Sequence, residues 1–429
     1  MSFRRTLFWI HLVAGLISGL AIAIMCFTGT MLAFEKDFIA WAERDARQIA
    51  TPPAGATRLP LAELQARLRA AQPEARPNSL VVQNDPLAAV AFTIGRTGGF
   101  YLNPYTGDVR QPRSTGMVTF MRVMTEWHRY LGLQGAESRP VGKLINGICN
   151  LAFCALAITG LYLWMPRRWS WRALRPVVWF RQNESARARD FNWHNAIGFW
   201  TAPVLIVLTL TAVPISFRWG GNLINTLTGT AVPVQGAGGR GGPPGQEPAA
   251  AVPAPAAGAA PLSLDALLAG VQRTVPDWKT ITVRLANTEP NANAGARSAN
   301  GEGRRDAGAP VRTAAAATFT VRESTSWPRT ATSTLTVDPF SGAVLRRTGY
   351  PEMNAAQQVR SWTRFLHTGE ALGWGGQFIA GLACLGGLFL VYTGFALSWR
   401  RFFGRKPVAP DAAARVRPDA DPAVACTPR

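Results

Sequence analysis

Four histidines are the residues in this 429-residue chain whose type and spacing could do chemistry, and they fall into a pattern. His11 heads His-Leu-Val-Ala-Gly15 in one apolar run, and His194 heads His-Asn-Ala-Ile-Gly198 in another. His128 and His367 each precede a short glycine-bearing break and a long apolar stretch that closes on Thr-Gly, a Trp and two arginines. The two closures are Thr159-Gly160, Trp164, Arg167-Arg168 and Thr393-Gly394, Trp399, Arg400-Arg401. So particular a plan, twice over, reads as an internal repeat with the histidines in equivalent places. Ionisable residues at membrane depth are costly and tend to be functional, and neutral imidazole is a ligand for iron, copper and zinc.

Depth decides which histidines pair. His11 and His194 both lie about a turn inside helices that start on one face, whereas His128 and His367 both lie just before helices that start on the other. A pair within one half would have to bridge most of the membrane, so the workable pairs are His11 with His194 and His128 with His367. Two imidazoles facing across a gap suit an iron porphyrin as axial ligands, which leaves little room for a substrate at iron and favours electron transfer. Copper or zinc would call for a third or fourth ligand, and the carboxylates nearby are Glu126 and Glu370. No Cys-x-x-Cys-His is present, so any haem would be non-covalent.

The elements that must position these residues are membrane helices. The 48% hydrophobic content is segregated into apolar runs at 7–34, 141–165, 191–217 and 375–399. Each is at least about 20 residues long, enough to span a hydrocarbon core. Arg4 and Arg5 precede the first run. Arg167, Arg168, Arg172, Arg175, Arg181, Arg187 and Arg189 fill the connection between the second and third, and Arg400, Arg401, Arg405 and Lys406 follow the fourth. The positive-inside bias puts these at the cytoplasmic face of an inner membrane, with both termini. The net charge of +20 thus has a topological explanation, and nucleic acid is not expected as a partner. The first run is longer than a signal-peptide core and lacks an Ala-x-Ala site, so it reads as a spanning anchor. Of the five cysteines, Cys26, Cys149, Cys154 and Cys384 sit in apolar runs and Cys426 in a polar tail, which leaves none in the exported segments to pair.

The predicted organisation is a membrane α-helical bundle of four spanning helices in two pseudo-repeats, with two small exported α+β modules. In order, it comprises spanning helix 1–34, module 35–117, a His-bearing outer interfacial helix and bend 118–140, and spanning helix 141–165. A basic loop 166–190, spanning helix 191–217 and exported segment 218–356 follow. The last parts are a His-bearing outer helix 357–374, spanning helix 375–399 and a cytoplasmic tail 400–429. Each module has an amphipathic helix (59–71 and 262–274) and short strand-like runs, at 80–82, 89–94 and 100–102 and again at 280–285, 317–321 and 333–337. Each also carries a Pro/Gly turn, Asn103-Pro-Tyr-Thr-Gly107 or Asp338-Pro-Phe-Ser-Gly342. A linker at 229–261 is too rich in Ala, Gly and Pro to build a core, and 287–313 reads as a flexible insertion.

These residues carry a resemblance. Two copies of [N/D]-P-[Y/F]-[T/S]-G in helix-plus-strand modules, alternating with His-bearing helices that end in Thr-Gly and a Trp, resemble the PepSY-associated transmembrane family over roughly residues 5–403. That family includes iron-regulated inner-membrane proteins and ferric-siderophore reductases with b-type haem. The resemblance implies two bis-histidine haems b, at His11/His194 and His128/His367, relaying electrons across the bilayer to ferric siderophore iron in the periplasm. No separate catalytic nucleophile or base is needed. Arg129, Arg360 and Arg364 are candidates for haem propionates, with Arg129 and Arg364 preferred, or else they are interfacial residues. Gly15, Gly19, Gly198, Gly376 and Gly381 are candidates for close approach of a macrocycle, or for helix packing. Trp127, Trp193 and Trp362 line the sites or belong to aromatic belts. Some relatives carry a fused flavin module; this chain shows no nucleotide-binding glycine loop, so its donor is a quinol, a flavin or a separate reductase. Two other readings stand beside this one: a haem-free PepSY membrane regulator, and a siderophore or iron transporter. The absence of charges in mid-helix argues against the transporter.

Overall fold

The computed structural model describes residues 3–95, 98–166, 170–182, 184–231, 251–253, 260–285 and 313–404. Arg167, Arg168, Arg405, Lys406, Cys426, most of the expected linker and nearly all of the expected insertion lie outside the described residues. In chain order the helices are α1 (Phe3–Leu32), α2 (Glu35–Ala42), α3 (Arg44–Arg47), α4 (Leu61–Ala71), α5 (Gly116–Tyr130) and α6 (Ser138–Trp164). Then come α7 (Trp171–Val178), α8 (Ala186–Ser216), α9 (Arg218–Leu227), α10 (Leu264–Thr274), α11 (Ala355–His367) and α12 (Gly373–Phe403).

Among the described residues, α1, α6, α8 and the stretch through α12 are the four helices long and apolar enough to cross a membrane. They run past their apolar runs because the flanking residues sustain a helix. Ser185 caps α8 by accepting from Ala188 N, and Arg400 and Arg401 extend α12. The four form a closed ring, α1 beside α6, α6 beside α8, α8 beside α12 and α12 beside α1. Small residues let them approach closely: a methyl group on Gly387 would lie 2.7 Å from Cys26 Sγ and 3.3 Å from Phe153 Cζ, where α12 crosses α1. At the arginine-rich end Asp190, 1% exposed, accepts from Arg189 of its own helix and from Arg400 of α12, so its buried charge is matched.

At the other end α5 packs on α1, and α11 packs on α8. Each is joined to the next long helix by a break that requires left-handed backbone. After α5 the break is Leu131 (φ 52°) and Gly132 (φ 78°); after α11 it holds Gly369 (φ 75°) and Gly373 (φ 66°). The expected bend between His128 and α6 is therefore a sharp reversal that folds α5 back along the bundle.

The strands are β1 (Ser79–Gln83), β2 (Val90–Ile94), β3 (Gly98–Leu102), β4 (Val109–Arg110), β5 (Ala251–Pro253), β6 (Trp278–Arg284), β7 (Thr313–Ala315), β8 (Ala317–Glu323), β9 (Ser333–Val337) and β10 (Val344–Thr348). Among the described residues β5 pairs with β7, and the other eight strands form one sheet in the order β10-β9-β8-β6-β1-β2-β3-β4. The sequence predicts two separate modules; the two sets of strands instead join through β1 and β6, antiparallel from Ser79↔Arg284 to Gln83↔Thr280. Alternating apolar residues on both sides of this seam feed one core. Leu80, Val82 and Phe92 meet Ile281, Val283 and Phe319 there, under Leu64 and Leu68 of α4 and Leu268 and Val271 of α10. A short sheet with a single covering helix buries little apolar surface and leaves an open edge, and edge-to-edge pairing removes both problems. Asp265 ties the helices as well, since its Oδ1 accepts from Leu61 N at the start of α4, 2.7 Å away.

The two Pro/Gly turns adopt the same geometry. Asn103 Oδ1 accepts from Tyr105 N and Asp338 Oδ1 from Phe340 N, both at 2.9 Å, and Gly107 and Gly342 take φ of 74° and 73°. The hydroxyl of Asp338's neighbour Ser341, with Phe340 N, holds the Asp338 carboxyl below its ordinary value.

Tyr101 links the sheet to the segment that follows α1. Its hydroxyl donates to Glu43 Oε2 at 2.8 Å, where Arg47 also donates. Burial raises the Tyr101 phenol well above its ordinary value, against the pull of Arg47. A phenol whose folded value is raised binds its proton more tightly when folded, so its stabilisation is full below pH of about 10 and fades as pH rises further. A Tyr101→Phe chain is expected to show a flatter fall in stability between about pH 10 and 12, read by denaturant melts at each pH.

Candidate functional site

All four histidines are held in the same way, through Nδ1. His11 Nδ1 lies 2.9 Å from Thr159 Oγ1 of α6, and His194 Nδ1 2.9 Å from Thr393 Oγ1 of α12. At the sheet end His128 Nδ1 lies 2.9 Å from Thr28 Oγ1 of α1. His367 Nδ1 lies 2.9 Å from the Leu208 carbonyl of α8 and 3.5 Å from Thr211 Oγ1.

The direction of these bonds follows from counting protons. A threonine hydroxyl has one, and each of these gives it to the carbonyl a turn back: Thr159 to Ala155 at 2.7 Å, Thr393 to Phe389 at 2.8 Å, Thr28 to Ile24 at 2.6 Å and Thr211 to Val207 at 2.7 Å. The hydroxyl oxygen can then only accept from the ring, and a carbonyl can only accept. An imidazole that donates from Nδ1 in this way has Nε2 as its lone-pair nitrogen, the tautomer a metal-ligating histidine adopts.

The glycine after each threonine makes room for the ring. A methyl group on Gly160 would lie 3.4 Å from His11 Cε1, one on Gly29 3.4 Å from His128 Cε1, and one on Gly394 3.7 Å from His194 Cε1. In α8 the corresponding residue is Ala212. Sequence reasoning noted Thr159-Gly160 and Thr393-Gly394 as marks of a repeat but gave them no role, and it passed over Thr28 and Thr211. The recurrence of Thr-Gly in three of the four long apolar helices was the available signal.

The structure brings together the pairs expected from depth. His11 and His194 line one cavity of about 930 Å³ at the arginine-rich end, which reaches inward to Ile22, Phe153 and Leu205. Gly15, Gly19 and Gly198 are in its wall, whereas Gly376 and Gly381 pack against Leu372 and Phe34 and take no part in it. Arg4, Arg5, Arg187 and Arg401 surround its mouth. Arg4 also caps the Leu163 carbonyl of α6, and Arg401 lies 5.0 Å over the rings of both Phe8 and Trp9. At the sheet end the His128 and His367 ring centres are 6.2 Å apart with a 50° angle between planes.

Two metal–nitrogen bonds of about 2 Å, with about 1 Å from each nitrogen to its ring centre, sum to about 6 Å, so one metal fits between these rings. Among the described residues no group of three or more His, Cys, Asp or Glu is placed to hold a metal. Glu126 is paired with Arg139 at 2.7 Å and Glu370 with Lys36 at 2.6 Å, so neither offers a third ligand. Two imidazoles with free Nε2 fit porphyrin iron, which brings its own equatorial nitrogens.

The other expected residues divide. Arg129 follows His128 directly and Arg364 stands three residues before His367; they lie over Tyr130 (5.3 Å) and Phe365 (5.8 Å). Arg360 is a helix tie, donating to Gly221 O at 3.0 Å and Asn225 Oδ1 at 2.8 Å of α9. Trp362 donates to the Tyr350 hydroxyl, Trp127 covers Gly132, and Trp193 meets Phe180 edge-on.

Four membrane-length helices, a paired-histidine site at each end and a sheet domain at one end define a membrane protein with two half-buried two-imidazole sites. The sequence model described as PepSY-associated TM region matches residues 8–401, and the chain belongs to that family. No curated protein matches the chain.

Proposed function

We propose that this protein is a ferric-siderophore reductase of dihaem b type in the bacterial inner membrane. It takes electrons on the cytoplasmic side, from a flavin or a separate reductase, or from the quinol pool, and delivers them to ferric siderophore iron in the periplasm. The observation that carries this reading is the pair of two-imidazole sites at opposite ends of one bundle, each ring held through Nδ1. Haem b supplies one-electron exchange at a fixed coordination when bound to two histidines.

The chain's own residues do the rest. His11 and His194 would hold one group, and the arginines at the cavity mouth would pair with its carboxylates. His128 and His367 hold the other, beside Arg129 and Arg364. The apolar walls between, with Ile22, Phe153 and Leu205, exclude water, so electrons rather than protons or ions cross. The arginine-rich end faces the cytoplasm by the positive-inside bias, which puts the sheet domain in the periplasm, where the acceptor arrives. Reduction to ferrous iron weakens binding by hard oxygen chelators, so one electron releases the metal without a nucleophile or base.

The test is a reduced-minus-oxidised spectrum of the purified protein with pyridine haemochrome quantitation, followed by addition of a ferric hydroxamate to the reduced protein. About two b haems per chain, reoxidised by the chelate, is the expected result. A chain that takes up no haem when haem is supplied in excess overturns the proposal and favours the haem-free regulator.

A further inference from the structure

We infer that the loop between β8 and β9 is where the ferric chelate docks, with Trp327 as the ring it rests on and Arg329 as the cation that meets a carboxylate of the chelate. Trp327 is 62% exposed, while Pro328 and Thr330 beside it are buried and fix the loop. Its ring is backed by Trp362 of α11, with centres 5.8 Å apart and a 64° angle between planes. Trp362 is fixed in turn, since its Nε1 donates to the Tyr350 hydroxyl at 2.8 Å. The exposed indole is thus an anchor already held in place, which a ligand can use without ordering it first.

The place of the loop matters as much as its residues. It meets α11 through Trp327 and the start of α12 through Arg329, where a methyl group on Gly373 would lie 3.2 Å from a guanidinium nitrogen. Trp362 stands five residues before His367 in the chain and Gly373 six after it, so the loop straddles the segment that carries this histidine. Five residues are about 7.5 Å along a helix axis, and electron transfer falls steeply with distance through protein. A chelate on Trp327 is one ring away from the helix that bears His367.

Charge selects the class of chelate. Among the described residues Arg329 is exposed and without an ion-pair partner, whereas the carboxylates of this region are engaged. Glu323 pairs with Arg347 at 2.7 Å, Glu370 pairs with Lys36 at 2.6 Å, and Glu352 accepts from Gly349 N at 2.6 Å. A guanidinium beside an open indole suits a ligand with a carboxylate and an apolar face. A ferric chelate with hydroxamate and carboxylate arms has both, and a trihydroxamate lacks the carboxylate. The step served is a one-electron transfer in which chelated ferric iron becomes ferrous and a reduced haem b becomes ferric, with no bond made or broken on the protein.

The electron in that step rests on the dihaem reading above; the docking rests on the loop. Full-length protein in detergent is titrated with the gallium(III) complex of a carboxylate-bearing dihydroxamate, which resembles the ferric complex but accepts no electron, and binding is read by tryptophan fluorescence and calorimetry. Binding is expected with or without haem, weakened about ten-fold in Trp327→Ala and in Arg329→Gln, and largely kept in Trp327→Phe. A gallium trihydroxamate is expected to bind more weakly and to be indifferent to Arg329→Gln. In haem-loaded protein Trp327→Ala should raise the KM for the ferric complex about ten-fold at unchanged haem content. Wild-type affinity in either Trp327→Ala or Arg329→Gln, or equal affinity for the two gallium complexes, overturns the inference. A chain that binds the gallium complex in this way but takes up no haem would overturn the dihaem reading and leave the docking site standing.

Discussion

On the dihaem proposal, His367→Ala protein is expected to hold one haem in place of two, and to lose reduction of an external ferric chelate to background. The remaining site, at His11 and His194, should keep its low-spin spectrum and still accept electrons from the cytoplasmic side. The expectation follows from the 6.2 Å spacing of the His128 and His367 rings: with one ring gone, His128 is left as a single imidazole ligand. His128→Ala should give the same result, and His11→Ala or His194→Ala its mirror image, with the outer spectrum kept. Independence of the two sites is expected because α1 crosses α12 between them, through a packed layer of Cys26, Phe153 and Gly387. Simultaneous loss of both haems in any single-histidine variant, in a chain whose helix content and melting are unchanged, would contradict it.

Ile281→Asp is expected to unfold the whole sheet domain, including strands 200 residues earlier in the chain by order of magnitude. Ile281 is fully buried, faces Val82 across the β1–β6 seam, and belongs to the core shared by α4 and α10. An unpaired carboxylate buried there costs several kcal/mol, a large share of the roughly 5–15 kcal/mol that holds a domain together. Ile281→Val, which removes one methylene, should cost about 1 kcal/mol and leave the fold intact. Limited proteolysis with mass spectrometry reads the difference: new cleavage within 79–110 in the Ile281→Asp chain is expected. Protection of 79–110 together with cleavage confined to 264–348 would mean that two separately stable modules exist, and would sink the single core.

The two predictions probe parts of the molecule that were unequally legible. The long helices could be read because a membrane helix satisfies its own backbone and needs only an apolar run of sufficient length, a local property. The pairing of His11 with His194 and of His128 with His367 was legible for a related reason. Depth is set by counting residues from the end of a spanning helix, inside it for His11 and His194 and just before it for His128 and His367, and two depths leave one sensible matching. The reversal at Leu131 and Gly132 was less legible, since a left-handed leucine is held there by the surrounding chain and by no propensity of its own.

The joined sheet lay beyond the sequence for a physical reason. Strand alternation shows which residues face a core, but the same pattern suits a buried seam and a free edge, and β1 and β6 are separated by most of a transmembrane hairpin. The roles of the arginines divided in the same way, because Arg360 and Arg364 have similar local sequence settings and only the position of α9 makes one of them a tie.

What the sequence by itself determined is therefore the set of local and one-dimensional properties: four helices of membrane-spanning length, the place of each histidine along the chain relative to them, the two turns and the family. What only the tertiary structure decided is which atoms meet. Thr28, Thr159 and Thr393 meet the Nδ1 atoms of His128, His11 and His194, and β1 pairs with β6. Hydrogen bonds and strand pairing depend on distances of a few tenths of an ångström between residues far apart in the chain, and no local pattern encodes such distances.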